Sequence, residues 1–253
     1  MSSAPVVVVT GASAGIGAAI VDKLLLEETN VVLVDVTEEP LEKRQKEYGH
    51  ARVQYVVGDV STDKTNHLAV KAALDTWGKV DALALNAGVM SPVRRICDVE
   101  STEWTRIFNI NVVSQISMLA EAIPHLRRTK GRVVFTSSDA GEKPSFAAWG
   151  AYGATKAAVN YLVKVLALEE PEITAVGLYP GVVNTPLVQG IFRGDYTSGM
   201  SEQELQTYKD LVQPRLVEAH QPGTVLANLA LSASANLSGS ILFWDDENIK
   251  QFR

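Results

Sequence analysis

Two side chains placed four residues apart, Tyr152 and Lys156, form the pair in this sequence best suited to proton transfer. The residues from Gly150 onward follow a helical pattern, and that spacing puts both side chains on one helix face, with Cβ atoms roughly 5–6 Å apart. An ammonium beside a phenol stabilises the tyrosinate and lowers the pKa of the phenol from about 10, as a general acid or base requires. The same pattern also occurs as a plain surface pair, so the rest of the sequence must decide between the two interpretations.

A serine hydroxyl is expected close to this pair. The β-branched run from Arg132 to Thr136 predicts a buried strand, and Ser138 follows at the end of that strand. We therefore interpret the stretch from Gly131 to Lys156 as the centre around which the rest of the chain is arranged.

Three glycines, Gly11, Gly15 and Gly17, come directly after an apolar run that predicts a strand covered on both faces. A good helical segment follows them, so the glycines lie where a strand turns into a helix N-terminus. Free N–H groups and the positive end of the helix dipole can hold a pyrophosphate there, and glycine lets the phosphate approach the backbone. The spacing is G-x-x-x-G-x-G, and a simple tight turn is the alternative interpretation.

An acidic residue, Asp35, ends the next predicted strand, NVVLVD. Dinucleotide-binding folds place an acidic residue at this point to bind the adenosine ribose. The same carboxylate could instead cap the helix that begins at Glu38. The sequence favours ribose binding by Asp35 and leaves helix capping as the alternative.

The remaining elements alternate between strands and helices along the chain. Strand patterns end at Asp59, at 86–88 and at Pro180, and a last strand pattern lies within 237–248. Strands joined by helices of ten or more residues specify right-handed crossovers. The predicted fold is therefore an α/β doubly wound (Rossmann) parallel sheet of seven strands with helices on both faces, in one domain covering residues 1–253. Ligands of such sheets bind beyond the carboxyl ends of the strands.

One polar residue stands out in the long helix predicted from Ser101, which this serine would cap. Asn111 is a poor helix former and lies among apolar neighbours, where a polar side chain usually has a hydrogen-bonding reason. A local bend of the helix is the alternative.

Composition excludes several classes of function. The 253 residues are 46% apolar with a net charge of −6, which argues against nucleic-acid binding. Cys97 is the only cysteine, so neither an internal disulfide nor a cysteine metal cluster can form, and the four histidines lack ligand spacing. No apolar stretch is long enough to span a bilayer. We expect no metal and no membrane partner, and a cytoplasmic location.

Taken together and in order, these motifs resemble the short-chain dehydrogenase/reductase family over nearly the whole chain. The matching segments are TGASAGIG, Asp59-Val60, Asn86-Ala87-Gly88, Asn111, Ser138, Tyr152-Gly-Ala-Thr-Lys156 and Pro180-Gly181 with Thr185. The resemblance implies hydride transfer between a nicotinamide dinucleotide and a carbonyl or alcohol.

The resemblance also assigns roles to single residues. Tyr152 would exchange the proton and Ser138 would bind the substrate oxygen, while Lys156 would hold the nicotinamide ribose and Asn111 a proton-relay water. The implied cofactor-binding residues are Gly11, Ser13, Ile16 and Gly17 at the phosphates, Asp59 and Val60 at the adenine, Asn86, Ala87 and Gly88 on the adenosine side, Val183 and Thr185 at the carboxamide, and in addition Pro180 and Gly181.

Within the family, the sequence is most similar to the branch of benzil reductase and sepiapterin reductase. Two departures matter: Ser138 lies fourteen residues before Tyr152, where thirteen is commoner, and Val36 stands where many members of that branch carry an arginine.

Asp35 without a neighbouring cation predicts NAD(H) as the preferred cofactor, with NADP(H) as the alternative. Catalytically silent members usually lose the tyrosine, lysine or serine, all present here; a silent redox-sensing interaction protein is the alternative function.

The predicted substrate is a bulky or aromatic ketone or diketone. A segment without clean periodicity, about 184–212, is expected to form a mobile lid. No cation fixed by the motifs would clamp a carboxylate, although Arg193 could reach in from the lid. The residues expected to form an apolar pocket are Phe146, Trp149, Phe192, Tyr196 and Met200.

The long helices that begin near Trp104 and Gly150 are apolar around more than one stripe. One apolar stripe of each helix should pack on the sheet, and the other should pack on a second copy of the chain, as in the four-helix bundles of the family. We expect a homodimer, with a homotetramer as the larger alternative. The stripes comprise Ile107, Ile110, Val113 and Met118 on one helix, and Ala154, Ala158, Tyr161, Val165 and Leu168 on the other.

Overall fold

The computed structural model describes residues 4–144 and 146–253. Its main element is a seven-stranded sheet in the order β3-β2-β1-β4-β5-β6-β9, and every neighbouring pair is parallel. This confirms the predicted doubly wound α/β fold. The strands of this sheet are β1 (Val6–Thr10), β2 (Asn30–Asp35), β3 (Val53–Val57), β4 (Ala82–Leu85), β5 (Arg132–Thr136), β6 (Thr174–Tyr179) and β9 (Ile241–Phe243), and a separate short pair is formed by β7 (Val183–Asn184) and β8 (Val217–Glu218).

Helices cover both faces of the sheet. Their apolar side chains form two core layers, one under α1, α2 and α9 and the other under α3, α5 and α6. Continuous valine-rich strands suit this position because both faces of each strand are buried. The helices are α1 (Gly15–Leu26), α2 (Glu38–Tyr48), α3 (Asp63–Trp77), α4 (Ser101–Phe108), α5 (Ser114–Thr129), α6 (Gly150–Glu169), α7 (Pro186–Arg193), α8 (Glu202–Val212) and α9 (His220–Ser232).

The strand order reverses direction at β1, which lies between β2 and β4. Connections from β1 and from β4 therefore leave toward opposite sides, and a crevice opens at the carboxyl ends of these strands. The glycines after β1 lie at this point of the fold.

The single long helix predicted from Ser101 is instead built in three parts. Between α4 and α5, residues Asn109–Val113 form a π-helical turn. Ser101 is the first helical residue and not the cap: Glu100 caps α4, and its reciprocal partner is the side chain of Glu103. Asn111 lies at the centre of this π turn.

The segment 184–212 contains two helices, α7 and α8, where the sequence showed no clean period. Thr185 caps α7, and Ser201 with Glu204 forms a capping box for α8. Both helices pack on a third apolar cluster that lies apart from the two layers of the sheet. No helix within the described ranges is long and apolar enough to cross a membrane.

Candidate active site

A cavity of about 330 Å³ opens at the carboxyl ends of the central strands; we call it the glycine-loop cleft. It runs from Asp35 at the end of β2 to Lys156 on α6. Most of the sequence-predicted cofactor residues line it: Gly11, Ser13, Ile16, Asp35, Asn86, Ala87, Gly88, Tyr152, Lys156, Pro180, Gly181, Val183 and Thr185. Gly15, named from the sequence as part of the glycine loop, also lines it, and the lining residues that sequence reasoning missed are Ala14, Thr136, Ser137, Pro186, Leu187 and Val188.

The glycine loop is held in a conformation that other residues would not allow. Gly11 has φ +67°, and a Cβ added to Gly17 would lie 1.9 Å from the Gly11 carbonyl oxygen. Gly17 therefore supports the loop from beneath and does not line the cleft. The amide of Asn86 donates to the Thr10 and Gly11 carbonyls at 3.1 and 3.3 Å, which ties the loop to the end of β4. The floor of the cleft is thus built before any ligand binds.

Asp35 does not cap α2, the alternative that the sequence left open, and its role at a ribose stays a prediction. Its carboxylate lines the cleft and accepts hydrogen bonds from the backbone N–H of Ser13 at 3.0 Å and of Thr37 at 3.1 Å. Thr37, and not Asp35, is the N-cap residue of α2. A carboxylate offers about four acceptor sites, so two remain for ligand hydroxyls.

Two residues expected at the adenine do not line the cleft. Asp59 accepts a hydrogen bond from the Ser61 N–H at 2.8 Å, and Val60 is buried in a core layer. Both follow β3, which β2 separates from β1. Their assignment stays a prediction.

Lys156 is almost completely buried, with 4% of its surface exposed. Its ammonium donates to the Thr136 carbonyl at 2.7 Å and lies 5.6 Å from the ring centroid of Tyr152. Burial lowers the pKa of Lys156 to about 8 because the charged form loses hydration. The short distance between the Lys156 ammonium and the Tyr152 ring shows that the two side chains lie on one helix face, as predicted.

The predicted lowering of the tyrosine pKa is wrong in this structure. Burial raises the pKa of Tyr152 to about 12; a hydrogen bond with Ser138 opposes this rise, and the charge of Asp139 adds to it. Desolvation wins because the Lys156 ammonium is bound to the Thr136 carbonyl and not to the phenol oxygen. At neutral pH Tyr152 is a protonated phenol, the form that a general acid needs.

Ser138 lies at the carboxyl end of β5, as predicted. Its hydroxyl accepts a hydrogen bond from the Ala140 N–H at 3.2 Å and caps a short 3-10 turn. This bond fixes the hydroxyl oxygen, and the hydroxyl also lies within hydrogen-bonding reach of the Tyr152 phenol.

Asn111 is fully buried. It lines neither the glycine-loop cleft nor the neighbouring cavity that Ser138 and Tyr152 line. Its side chain accepts from the Val89 N–H at 2.8 Å and donates to the Val89 carbonyl at 2.8 Å and to the Thr155 hydroxyl at 3.1 Å. The residue joins the segment after β4 to helix α6. The hydrogen bonds of Asn111 therefore have a structural role. A role of Asn111 in holding a water molecule stays a prediction.

A second hydrogen-bonded chain fixes α6 from another side. Ser137 donates to the Asn160 carbonyl oxygen at 2.5 Å, Asn160 donates to the Tyr179 hydroxyl at 2.9 Å, and Tyr179 donates to Glu142 at 2.7 Å. The chain connects β5, α6, β6 and the loop after Ser138. No motif in the sequence indicated these hydrogen bonds, because the residues that form them are far apart along the chain.

A second cavity of about 370 Å³, the aromatic cleft, adjoins the first. Ser138 and Tyr152 line it, and Tyr152, Gly181, Leu187 and Val188 belong to both clefts. The phenol of Tyr152 thus lies where the two cavities meet. This arrangement lets a group bound in one cleft react with a group bound in the other.

Only part of the predicted apolar pocket lines the aromatic cleft. Phe146 and Trp149 do, whereas Phe192, Tyr196 and Met200 pack behind its wall in the third apolar cluster. Tyr208 lines it and was missed, although Leu205, Tyr208 and Val212 recur at helical spacing along α8.

The charged residues near the aromatic cleft also differ from expectation. Arg193 does not reach it, because its guanidinium binds Asp195 at 2.6 Å. The charged residues that line this cleft are Asp139, Lys143 and Arg215. Within the described ranges, no cluster of three or more His, Cys, Asp or Glu side chains could hold a metal ion.

Comparison with known proteins places this geometry in a family. The model of the short chain dehydrogenase family matches residues 5–195. "Uncharacterized oxidoreductase YIR035C" of Saccharomyces cerevisiae is 38% identical over 98% of both chains, and its crystal structure superposes with a TM-score of 0.92 over 98% of this chain and 99% of that one.

Two other relatives have more specific names. "Benzil reductase ((S)-benzoin forming) IRC24" of S. cerevisiae is 33% identical over 96% of this chain and 97% of its own. The 3-ketoacyl-(acyl-carrier-protein) reductase of Brucella melitensis, solved with NADH, is 26% identical with a TM-score of 0.79 over 94% of this chain and 96% of that one. On its sequence, its sheet and these relatives, the chain belongs to the short-chain dehydrogenase/reductase family of oxidoreductases.

Proposed function

We propose that this protein is an NAD(H)-dependent carbonyl reductase that acts on bulky or aromatic ketones or diketones. The observation that carries the proposal is the position of Tyr152 at the junction of the glycine-loop cleft and the aromatic cleft. An acid at this junction can protonate a carbonyl oxygen while its carbon is reduced from the other cleft.

The glycine-loop cleft fits a dinucleotide. Its loop at the start of α1 presents backbone to a pyrophosphate, Asp35 offers acceptors to ribose hydroxyls, and Lys156 lies at the opposite end. A nicotinamide dinucleotide bound there supplies or accepts the hydride.

The chain's own side chains manage the proton. Tyr152 donates its phenol proton to the carbonyl oxygen, and Ser138 donates a hydrogen bond to the same oxygen as negative charge develops on it. The Lys156 ammonium then stabilises the tyrosinate that is left. Two of these groups therefore act on the carbonyl oxygen, and the third acts on the phenol oxygen of Tyr152.

The aromatic cleft supports a substrate with a large apolar body. Phe146, Trp149 and Tyr208 line it together with aliphatic side chains from α7 and α8. Such a lining favours aromatic ketones over sugars. We propose that residues 184–212, which supply α7 and α8, act as its lid.

The cofactor preference that we propose rests on charge at one end of the cleft. Lys156, at the far end, is the only cation among the described residues that line it, and Val36 is exposed. A unit negative charge about 4 Å from Asp35 would be repelled by about 4 kcal/mol at an effective dielectric constant near 20, and a phosphate carries more than one charge. NADP(H) is therefore the disfavoured cofactor.

The exposed apolar surface supports a homodimer. Ile107 and Met118 are buried by their own chain, which corrects part of the predicted stripe, whereas Tyr161 and Leu168 are 69% and 82% exposed on α6. Val113, in the π turn that α6 contacts, and Ile116 are also exposed apolar residues. For location we propose the cytoplasm, which suits a chain with one cysteine.

Turnover of benzil with NADH should be abolished by Tyr152→Phe, with cofactor affinity nearly unchanged, because only the transferable proton is removed. NADH oxidation measured against neutral diketones tests this, with dinucleotide binding followed by fluorescence as the control. Cofactor binding without turnover of any ketone by the parent protein would indicate the silent alternative. Faster reduction of keto acids than of neutral diketones would instead assign Lys143 and Arg215 to carboxylate binding.

Reduction should slow as the pH rises through about 8, where Lys156 loses its proton. Below that pH the ammonium stabilises the tyrosinate, and above it a neutral amine remains, while Tyr152, with a pKa of about 12, stays protonated throughout. The measurement is kcat of ketone reduction from about pH 6 to about pH 10 at saturating NADH. Lys156→Arg should remove the decline because arginine keeps its charge. A rate that increases above pH 8 would contradict this role of Lys156.

NADH should be favoured over NADPH by about tenfold or more in kcat/KM, since the phosphate would face Asp35 without a cation. The double variant Asp35→Ala with Val36→Arg should narrow or invert the ratio by supplying a phosphate partner. Asp22→Ala, which frees Arg44 on the outer surface, is the matched control and should leave the ratio unchanged. Equal use of both cofactors by the parent protein would rule out this role of Asp35.

Light scattering at micromolar concentration should give twice the chain mass of 27.3 kDa. Tyr161→Glu combined with Leu168→Glu should give the monomer, because buried charge opposes association. Leu26→Glu is the control, since Leu26 is equally exposed on α1, away from these helices. A parent protein that is monomeric under these conditions would refute the dimer.

A further inference from the structure

The phenol of Tyr208 is a buried group that the mechanism above does not use. Tyr208 lies on α8 and is 1% exposed. Its ring packs against Phe146, Trp149 and Phe192 at centroid distances of 5.1, 5.6 and 5.7 Å. These contacts fix the ring, and the position of its hydroxyl is fixed with it.

The Tyr208 hydroxyl has no hydrogen-bond partner among the described residues, unlike the hydroxyls of Tyr179 and Tyr196. Tyr179 makes two such bonds, and Tyr196 donates to the Leu187 carbonyl. Among the described residues, the indole nitrogen of Trp149 has no hydrogen-bond partner and is fully enclosed by protein. The Tyr208 oxygen also has no partner but is not fully enclosed. The Tyr208 hydroxyl therefore opens onto the aromatic cleft that the residue lines.

An O–H group in an apolar cleft is unfavourable unless an acceptor reaches it. The side chains that pack on the Tyr208 ring are aromatic, and no described side chain lining the cleft accepts its proton, so the acceptor is supplied by what fills the cleft, water or a bound molecule. Burial raises the pKa of Tyr208, and the nearby phenols of Tyr196 and Tyr152 add to the rise. The group is therefore a neutral donor at any working pH.

Tyr208 and Tyr152 share one neighbour. The indole of Trp149 lies with its centroid 6.0 Å from that of Tyr152 and 5.6 Å from that of Tyr208. Two phenols that line one cleft beside the same indole can bind two oxygens of one small molecule.

We propose that Tyr208 donates a hydrogen bond to a second substrate oxygen, one that is not reduced, and so selects vicinal dicarbonyl compounds over simple ketones. This inference rests on the proposed function, because it assumes that the carbonyl being reduced lies at Tyr152. Tyr208 is then a specificity-determining residue that binds the substrate without exchanging a proton with it.

The test compares benzil with 2-phenylacetophenone, which replaces one carbonyl of benzil by a methylene group. Because benzil is symmetrical, either carbonyl can be the one reduced. Tyr208→Phe should lower kcat/KM for benzil by about tenfold or more, since an acceptor is left without its donor. For 2-phenylacetophenone the same variant should change kcat/KM by less than about threefold.

Tyr196→Phe is the matched control, because this hydroxyl binds the Leu187 carbonyl and Tyr196 lies outside the cleft lining. It should affect the two substrates by the same factor. Melting temperatures give a second readout: Tyr208→Phe should melt no lower than the parent, since no bond within the chain is lost, whereas Tyr196→Phe should melt lower.

The outcomes separate the two proposals. If the parent protein reduces benzil but Tyr208→Phe loses the same factor on both substrates, or loses nothing on benzil, the role of Tyr208 is refuted and the reductase stands. A lower melting temperature of Tyr208→Phe would show an internal partner for the hydroxyl and refute the inference as well. If the parent reduces neither ketone with either cofactor, the proposed function fails and this inference fails with it.

Discussion

The hydrogen bond from the Lys156 ammonium to the Thr136 carbonyl is the interaction on which the site depends. A buried ammonium is costly unless a strong acceptor meets it, and this bond meets that need while joining α6 to the end of β5. One connection therefore sets the distance between Tyr152, which α6 carries, and Ser138, which follows β5. The reduction that we propose requires both groups at one oxygen, so it depends on the register between this helix and this strand.

The surrounding structure holds that register from two further sides. Asn111 binds Val89 and Thr155 from the π turn, and the Asn160 amide lies between Ser137 and Tyr179 on the opposite flank. Buried amides with all their groups satisfied define position sharply, because a displaced amide would lose bonds that no water replaces. The catalytic helix is thus positioned by polar contacts, while the apolar layers of the sheet supply most of the cohesion.

The sequence predicted the parts of this structure whose signal is local. Continuous valine runs indicated the buried strands, and glycines between a strand and a helix indicated the crevice at β1. The π turn around Asn111 could not be predicted, because it depends on contact with Val89, which is distant in sequence. The predicted direction of the Tyr152 pKa shift was wrong for a similar reason. The spacing of Tyr152 and Lys156 reveals the neighbouring cation, which lowers the pKa, but not the burial of the phenol, which raises it by more. Tyr208 was accessible from the helical spacing of Leu205, Tyr208 and Val212, but its place in the cleft required the tertiary fold.

The wall between the two clefts is made of the same residues on both sides. Leu187 and Val188, in the first turns of α7, line both the glycine-loop cleft and the aromatic cleft. Any shift of α7 that the occupant of one cleft favours therefore alters the shape of the other. By linkage, the two occupants change each other's affinity by the same factor. Coupling between the occupants of the two clefts would therefore pass through one short helix and not through the groups that we propose for the chemistry.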